Sequence, residues 1–323
     1  MDMLQGGMSW DEVVLLAKEM EKAGATIIST HFTWHESAVP TIATMVPRAA
    51  FSGVTGRLRK ELSIPTITSN RINMPDVAEQ VLADGDADIV SMARPMLADA
   101  ELVKKAFEGR EDEINTCIGC NQACLDHGFE GKEISCLVNP RALNETRLNY
   151  APTEAPKKIA VVGAGPAGLA YATVASERGH SVTLFDAGAE IGGQFNLAKQ
   201  IPGKEEFYET LRYYRRMMEV NNVDLQLNRK VTAAELKLGG FDHVVIATGI
   251  TPRVPQLEGI DHPSVVSYVD VLRGNVEVGK RVAVMGAGGI GFDVSEFITH
   301  VGVSAALDKE VFAREWGVDF KNH

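Results

Sequence analysis

The chain has 323 residues, 45% of them hydrophobic, which is enough material for two or three domains with substantial cores. Its formal net charge of −11 argues against nucleic acid or an anionic membrane surface as a partner. No apolar run is long enough to span a bilayer, and the N-terminus lacks the basic and apolar parts of a signal peptide. These features predict a cytoplasmic protein and leave its oligomeric state undetermined.

The first hundred residues alternate between helix and strand patterns. Ser9 and Glu12 form a possible capping box for the first helix, and a later helix begins near Pro75 with Asn73 as its cap. The predicted elements are a helix over 11–23 and strands over 25–30, 64–69 and 87–92. This alternation is typical of a parallel β/α fold, but the units are too few to close an eight-stranded barrel.

Polar residues follow all three of these predicted strands. His35 lies just beyond the first strand, Arg71 follows the second, and Arg94 follows the third. Ligands of parallel β/α folds bind at the carboxyl ends of the strands. A histidine there can donate to a substrate carbonyl, although a surface or packing histidine is the alternative. Two arginines on consecutive units can hold a phosphate, or they are solvated charges.

Four cysteines, the only ones in the chain, follow the third β/α unit. They are Cys117, Cys120, Cys124 and Cys136, with the spacing Cys-x2-Cys-x3-Cys-x11-Cys. In a reducing compartment such a group is expected to bind metal rather than form disulfides. Three thiolates in one short loop and a fourth from a nearby turn suit an iron–sulfur cluster. A structural zinc site usually pairs two Cys-x2-Cys knuckles, and zinc or four unrelated buried cysteines are the alternatives.

A glycine-rich turn follows a polar linker at 144–158. The predicted strand 158–162 leads into this turn, which precedes a helix over 169–178 and a second strand, 181–185. Gly163 suits the tight turn, Gly165 lets the backbone approach a pyrophosphate, and Gly168 lets helix pack on strand. Asp186, at the end of the second strand, is placed to bind ribose hydroxyls. The complete arrangement predicts a dinucleotide-binding fold.

Two later features favour FAD over a nicotinamide at this turn. Gly192, Gly193 and Gln194 follow Asp186 closely, as in flavoproteins that place such a turn near the flavin. The predicted strand 244–248 ends in an Ala-Thr-Gly turn that is common in two-dinucleotide flavoproteins. A simple strand exit is the alternative for that second feature.

A second glycine fingerprint lies near the end of the chain. A predicted strand over 281–285 precedes Gly286, Gly288 and Gly291, and a helix is predicted to continue through Glu296. Its distance from the first fingerprint suits an FAD domain into which a nicotinamide domain is inserted. A βα packing turn without a ligand is the alternative.

Several longer motifs carry a family resemblance. They are Trp34-His35-Glu36, Pro40-Thr41-Ile42-Ala43-Thr44, Ser91-Met92-Ala93-Arg94-Pro95, the cysteine run 115–124, Gly192-Gly193-Gln194-Phe195-Asn196 and the run 200–207. With these motifs the chain resembles the bacterial NADPH-dependent 2,4-dienoyl-CoA reductases, which belong to the old yellow enzyme-like iron–sulfur flavoproteins. The similarity covers nearly the whole chain.

The resemblance implies roles for individual residues. The four cysteines match the ligands of a [4Fe–4S] cluster, and His35 matches the histidine that works beside the catalytic acid. The positions that hold FMN match Arg71, Ala93 and Arg94. The positions that contact FAD match Gly165, Asp186, Gln194 and Val231, the last at the end of a predicted strand. Ser37-Ala38-Val39 departs from the more basic segment of many relatives, at a position tied to acyl-CoA recognition.

The resemblance also implies a reaction and a domain order. Electrons would pass from NADPH to FAD, to the cluster, to FMN and then to a 2,4-dienoyl-CoA, as in the β-oxidation of unsaturated fatty acids. The predicted domains are part of an FMN-binding TIM barrel (1–110), an iron–sulfur segment (111–150), a Rossmann-like FAD domain (151–275) and the start of an NAD(P)H domain (276–323). The alternatives are a 2-enoate reductase, an amine dehydrogenase, or an electron-transfer module without a complete substrate site.

Overall fold

The computed structural model describes residue 3 and residues 6–33 and 37–320. Its contacts divide these residues into two compact units. The first unit consists of the described residues up to 145 together with 302–320, and the second consists of 146–301. Within the described ranges, no helix has the length and apolar character that crossing a membrane requires.

The first unit is built from parallel strands joined by helices, as predicted. Strands β1 (Ile28–Ser29), β2 (Thr66–Thr68) and β3 (Ile89–Val90) pair in chain order. The helices are α1 (Trp10–Lys22), α2 (Ser52–Arg59), α3 (Pro75–Ala83), α4 (Arg94–Ala98), α5 (Leu102–Phe107) and α6 (His127–Phe129). A 3-10 turn at Glu111–Glu113 follows α5, and a turn of π-helix at Gln122–Asp126 precedes α6.

Local sequence signals explain where these elements begin. The capping box is confirmed, since the Glu12 N–H donates to the Ser9 hydroxyl and the Ser9 N–H donates back to the Glu12 carboxylate. The strands are shorter than predicted. Strand β2 begins at Thr66 because Pro65 has no N–H with which to extend the ladder. Helix α3 covers the sheet with Val81, which is 3% exposed.

The second unit has a Rossmann-like sheet. Its strands are β4 (Lys158–Val162), β5 (Ser181–Phe185), β6 (Asp224–Gln226) and β7 (His243–Ile246). They are all parallel, in the spatial order β6-β5-β4-β7, which is the 3-2-1-4 order of a nucleotide-binding half. The helices are α7 (Pro166–Glu177), α8 (Phe195–Ala198), α9 (Phe207–Val220), α10 (Ala233–Leu238), α11 (Tyr268–Leu272) and α12 (Gly289–Thr299).

The strand predicted over 281–285 is wrong. Helix α12 forms after it, but residues 282–286 have no regular structure, and none of the described residues pairs with them in a sheet. Val282 is 47% exposed and Met285 is 70% exposed. A parallel strand is stabilised by neighbouring strands and by helices over both faces, and no strand of the described ranges lies beside this segment. An apolar run alone therefore does not form the strand.

The last described segment packs with the first unit. A 3-10 turn at Ala305–Leu307 leads into α13 (Lys309–Trp316). Phe312 is fully buried there, and its ring meets that of Phe51 edge-on at 6.2 Å. The domain predicted over 276–323 is thus divided between the two units.

Asp88 links α2 to the sheet of the first unit through charged hydrogen bonds. Its carboxylate accepts from Arg59 at 2.8 and 3.0 Å and from the Thr66 N–H at 3.0 Å. These bonds hold the pKa of Asp88 at about 2, below its ordinary value of 3.8. The ionised form therefore stabilises the fold above the ordinary pKa, and this stabilisation is lost as the pH falls through the folded value.

Replacement of Asp88 by asparagine is expected to lower the free energy of unfolding by about 1–2 kcal/mol at pH 7. The deficit should shrink between about pH 4 and pH 2, where the wild-type carboxylate takes up its proton. Urea denaturation followed by tryptophan fluorescence reports on this unit, because all three tryptophans lie outside 146–301. Glu79→Gln, at an exposed carboxylate, is the control, and a deficit independent of pH would contradict the charge argument.

Candidate functional site

A cavity of about 210 Å³ lies where the strands of the first unit end. The residues that follow each of the three strands contribute to its wall. All three positions predicted for FMN line it, namely Arg71, Ala93 and Arg94. The structure therefore brings together three residues that are well separated in the sequence. This confirms that the carboxyl ends of the strands form a common pocket.

The two arginines of this strand-end cavity are fixed by backbone carbonyls. Arg71 is 5% exposed and has a left-handed backbone (φ 55°), and its Nε donates to the Val46 carbonyl at 2.9 Å. Arg94 is half-buried, and its Nη1 donates to the Ile42 carbonyl at 2.8 Å and to the Asn121 side chain. Arg71 is therefore not a solvated surface charge. Two held guanidiniums at strand ends suit a bound phosphate.

The histidine predicted to be catalytic, His35, lies outside the described residues. A different histidine, His31, lines the strand-end cavity directly after β1. The sequence analysis placed a strand over 25–30 but singled out only the later histidine. The position of His31 immediately after that strand was the signal that could have identified it.

All four cysteines line a second cavity, the cysteine cavity. Its volume is about 20 Å³, much less than that of the strand-end cavity, and every thiol is free and partly buried. Among the described residues, no three His, Cys, Asp or Glu side chains are close enough to hold one metal ion. A single zinc ion binds sulfur at about 2.3 Å, which limits two ligand sulfurs to a separation of about 4.6 Å. The thiols thus share a cavity but do not converge on one ion.

The first three cysteines lie in one segment, residues 117–124, which we call the cysteine loop and which ends in the π-helical turn. This loop packs tightly against the strand ends. Gly119 has a φ of 67°, and an added Cβ would lie 3.0 Å from Arg71 Nη1 and 3.1 Å from the Thr44 backbone. Only glycine fits both that conformation and that space. Asn73, predicted as a helix cap, instead donates from its side chain to the Cys117 carbonyl at 2.9 Å, and Met74 occupies the cap of α3.

The fourth cysteine, Cys136, is positioned by asparagines that sequence reasoning missed. Asn115 donates to the Val138 carbonyl at 2.8 Å, and Asn139 donates to the Leu97 carbonyl at 2.8 Å. These bonds hold the residues that closely follow Cys136, which itself lines the cysteine cavity. The repeated asparagines near the cysteines were the available signal.

Burial raises the pKa of the Cys120 thiol, and it raises the pKa of the Cys136 thiol to about 11. Neighbouring cysteines add to both shifts, because one thiolate disfavours another. These thiols are therefore neutral until a cation stabilises their ionised form. Four clustered soft ligands of this kind fit a positively charged iron–sulfur core.

The first glycine fingerprint has the geometry that its sequence predicts. Gly163 has a φ of 110°, and an added Cβ would lie 2.3 Å from the Ala247 carbonyl oxygen. An added Cβ at Gly168 would lie 1.8 Å from the Gly163 oxygen, whereas at Gly165 it would meet nothing within 4 Å. The turn and the helix contact thus need glycine for packing. Gly165 instead leaves open space at the N-terminus of α7, where a pyrophosphate would bind.

Asp186 and the following glycine turn complete this edge of the second sheet. The Asp186 carboxylate accepts from the backbone N–H groups of Ala164 and Gly188, each at 2.6 Å. An added Cβ at Gly193 would lie 3.2 Å from Gly165 Cα, so the turn lies directly against the phosphate loop. Gln194 donates from its side chain to the Ile250 carbonyl at 2.7 Å.

Val231 does not lie at the end of a strand. Strand β6 ends at Gln226, and Val231 stands in the loop before α10. Strand β6 pairs with β5 over only three residue pairs, the last of which is Phe185 with Gln226. The structure therefore separates Val231 from the strand that was expected to position it.

The second fingerprint repeats the local geometry of the first. Gly286 also has a φ of 110°, and an added Cβ at Gly291 would lie 2.0 Å from its oxygen. Gly288 is the extended N-cap of α12, just as Gly165 is the N-cap of α7. The turn and helix form here without the strand. Gly286 and Gly288 are exposed, and Gly291 is partly buried.

Two family models match the chain, one for each kind of fold. The NADH:flavin oxidoreductase / NADH oxidase family matches residues 2–113, and the pyridine nucleotide-disulphide oxidoreductases match residues 157–312. The chain belongs to the 2,4-dienoyl-CoA reductase-like family. This confirms both the resemblance and the fold class, in which part of a TIM barrel precedes a Rossmann-like region.

The relatives that resemble the chain are named for different activities. A metal reductase of Desulforamulus reducens is 39% identical over 96% of the chain and 46% of its own length. A cinnamate reductase of Clostridium sporogenes is 32% identical over 77% of the chain and 37% of its own length. The solved 2-naphthoyl-CoA reductase, in complex with 2-naphthoyl-CoA, is 32% identical with a TM-score of 0.89, over 98% of the chain and 51% of that structure. The chain thus spans about half the length of these relatives or less.

Proposed function

We propose that the chain carries the cluster-binding and flavin-binding parts of an NADPH-dependent reductase. This reductase acts on a carbon–carbon double bond of an unsaturated acyl-CoA, and its substrate is a 2,4-dienoyl-CoA. The observation that carries this proposal is that two residues, Arg94 and Cys117, line both the strand-end cavity and the cysteine cavity. A cofactor at the strand ends and a cluster on the cysteines would be neighbours. The cinnamate and 2-naphthoyl-CoA reductases support the substrate class.

The residues of the first unit suit this chemistry. The four cysteines would hold a [4Fe–4S] cluster, and Arg71 and Arg94 would hold the phosphate of FMN. In the second unit, Gly163 and Gly165 would hold the FAD pyrophosphate, and Asp186 would bind its ribose. His35 would orient the thioester carbonyl and assist proton delivery. When bound, these groups supply hydride acceptance from NADPH, single-electron transfer and hydride return to the substrate.

The cofactor part is tested by anaerobic reconstitution of the 323-residue chain with iron, sulfide, FMN and FAD. We expect about four irons per chain, both flavins bound, and bleaching of the flavin and cluster absorption by NADPH. Zinc in place of iron after purification from iron-supplemented cells would contradict the cluster. Flavin binding without iron would confine the chain to flavin chemistry.

The substrate part is tested without oxygen by NADPH oxidation with 2,4-hexadienoyl-CoA or cinnamate as the acceptor. A separate assay uses dimethylamine as the electron donor. Turnover that requires the dienoyl-CoA supports the proposal. Turnover with cinnamate alone would assign a 2-enoate reductase. Activity only with dimethylamine, measured with oxidised NADP or a dye as the electron acceptor, would assign an amine dehydrogenase.

A second candidate is an electron-transfer module without its own complete substrate site. Two observations favour it: the chain spans 46% of the metal reductase, and that relative is named for reduction of a metal. This candidate predicts NADPH-dependent reduction of a soluble dye or ferric citrate by the reconstituted chain, with no turnover of any enoyl substrate. Any enoyl turnover by the 323-residue chain would overturn it.

A further inference from the structure

We propose that Asn121 is a positioning residue that holds the cysteine loop against the guanidinium of Arg94. This contact couples anion binding in the strand-end cavity to the redox potential of a cluster in the cysteine cavity. The inference rests on the proposed function in one respect, namely that the cysteines hold an iron–sulfur cluster. It concerns the link between the two cavities, which the proposed function leaves unexplained.

The link is a hydrogen bond between α4 and the cysteine loop. Arg94, at the start of α4, donates from Nη1 to the side-chain oxygen of Asn121 and also to the Ile42 carbonyl. Asn121 directly follows Cys120 and has a left-handed backbone with a φ of 61°. Asparagine is one of the few residues that adopt this conformation readily. Its side chain accepts from Arg94 while its backbone continues the cysteine loop.

The charge on this link is concentrated in one side chain. Among the described residues that line the cysteine cavity, Arg94 is the only charged one, and it lines the strand-end cavity as well. The other guanidinium of the strand ends, Arg71, lies against Gly119 and does not line the cysteine cavity. Among the described residues that line the two cavities there is no carboxylate to compete for Arg94.

The physical consequence is a coupling between the two cavities. Reduction of a cluster adds one negative charge, and a fixed cation nearby favours that reduced state. A phosphate in the strand-end cavity draws on the same guanidinium and lowers the positive potential at the cysteines. Anion binding should therefore lower the potential of the cluster, and a reduced cluster should weaken anion binding by the same factor. Without the Asn121 contact, Arg94 keeps its bond to the Ile42 carbonyl but is no longer held against the cysteine loop.

The test measures the midpoint potential of the reconstituted cluster by anaerobic redox titration followed by electron paramagnetic resonance, with and without FMN. In the wild type we expect FMN to lower the potential by about 59 mV, a tenfold change for one electron. Asn121→Gly removes the acceptor while allowing the same backbone conformation, and it should reduce this difference to less than half. Asn121→Asp keeps an acceptor oxygen for Arg94 but adds a negative charge. It should lower the potential with and without FMN and keep a larger FMN-induced difference than Asn121→Gly.

Gln122→Ala is the matched control, because Gln122 is the exposed neighbour of Asn121 and lines neither cavity. It should behave as the wild type. An equal FMN-induced difference in Asn121→Gly and Gln122→Ala would overturn the inference while leaving the cluster intact. A wild type that binds no iron would instead overturn the proposed function. If Asn121→Gly alone loses iron and Asn121→Asp keeps it, the acceptor contact is required for the loop itself, which supports the positioning role.

Discussion

Replacement of Cys136 by alanine is expected to remove the cluster. Iron content after anaerobic reconstitution should fall from about four per chain to less than one, together with the visible absorption of the cluster. The remaining cysteines lie on one loop and leave the far side of the cysteine cavity without a ligand. Iron and acid-labile sulfide analysis measures the loss. FAD binding should persist, because residues 158–194 belong to the other unit.

Lys132→Gln is the control for this prediction, because Lys132 forms an exposed ion pair with Glu130 shortly before Cys136. Its iron content should equal that of the wild type. If Cys136→Ala binds as much iron as Lys132→Gln and has the same spectrum, then Cys136 is not a ligand. One zinc per wild-type chain, lost in the same variant, would favour the zinc alternative.

The residues of the candidate site could be predicted where the chemistry is local. Cysteine spacing and strand-end position identified the four cysteines, Arg71 and Arg94 directly from the sequence. The asparagines that hold the cysteine loop could not be assigned in this way. Asn73, Asn115 and Asn139 each donate to a carbonyl 23 to 44 residues away, and such pairs depend on the tertiary fold. An asparagine before a helix is usually its cap, and for Asn73 that local rule gave the wrong role.

The second unit shows the same division between local and long-range structure. Both glycine fingerprints form their predicted turns, because in each of them the helix glycine packs on the turn glycine five residues before it. The two preceding segments are both apolar, but only β4 becomes a strand. Strand β4 has β5 and β7 as neighbours, whereas 281–285 has no strand beside it among the described residues. Hydrophobic pattern indicates a tendency to form a strand, and pairing decides whether one forms.

Replacement of Gly163 by alanine is expected to destabilise the second unit by about 2–5 kcal/mol and to abolish FAD binding. The added methyl group would lie 2.3 Å from the Ala247 carbonyl oxygen, in a backbone conformation with a φ of 110°. Gly163 and Ala247 directly follow the paired strands β4 and β7. Neither backbone can therefore move without disturbing the sheet. Hydrogen–deuterium exchange of peptides covering β4 and β5 measures the stability, and FAD fluorescence measures the binding.

Two glycines of the same chain separate the causes of this effect. Gly286→Ala has the same φ of 110° but nothing within 4 Å of the added methyl group, so it reports conformational strain alone, about 1–3 kcal/mol. Gly165→Ala has neither strain nor a clash, so it should keep the fold. It should nevertheless weaken FAD binding, because its methyl group occupies the space through which the pyrophosphate approaches the backbone. If Gly165→Ala binds FAD as the wild type does, the pyrophosphate does not lie at this turn.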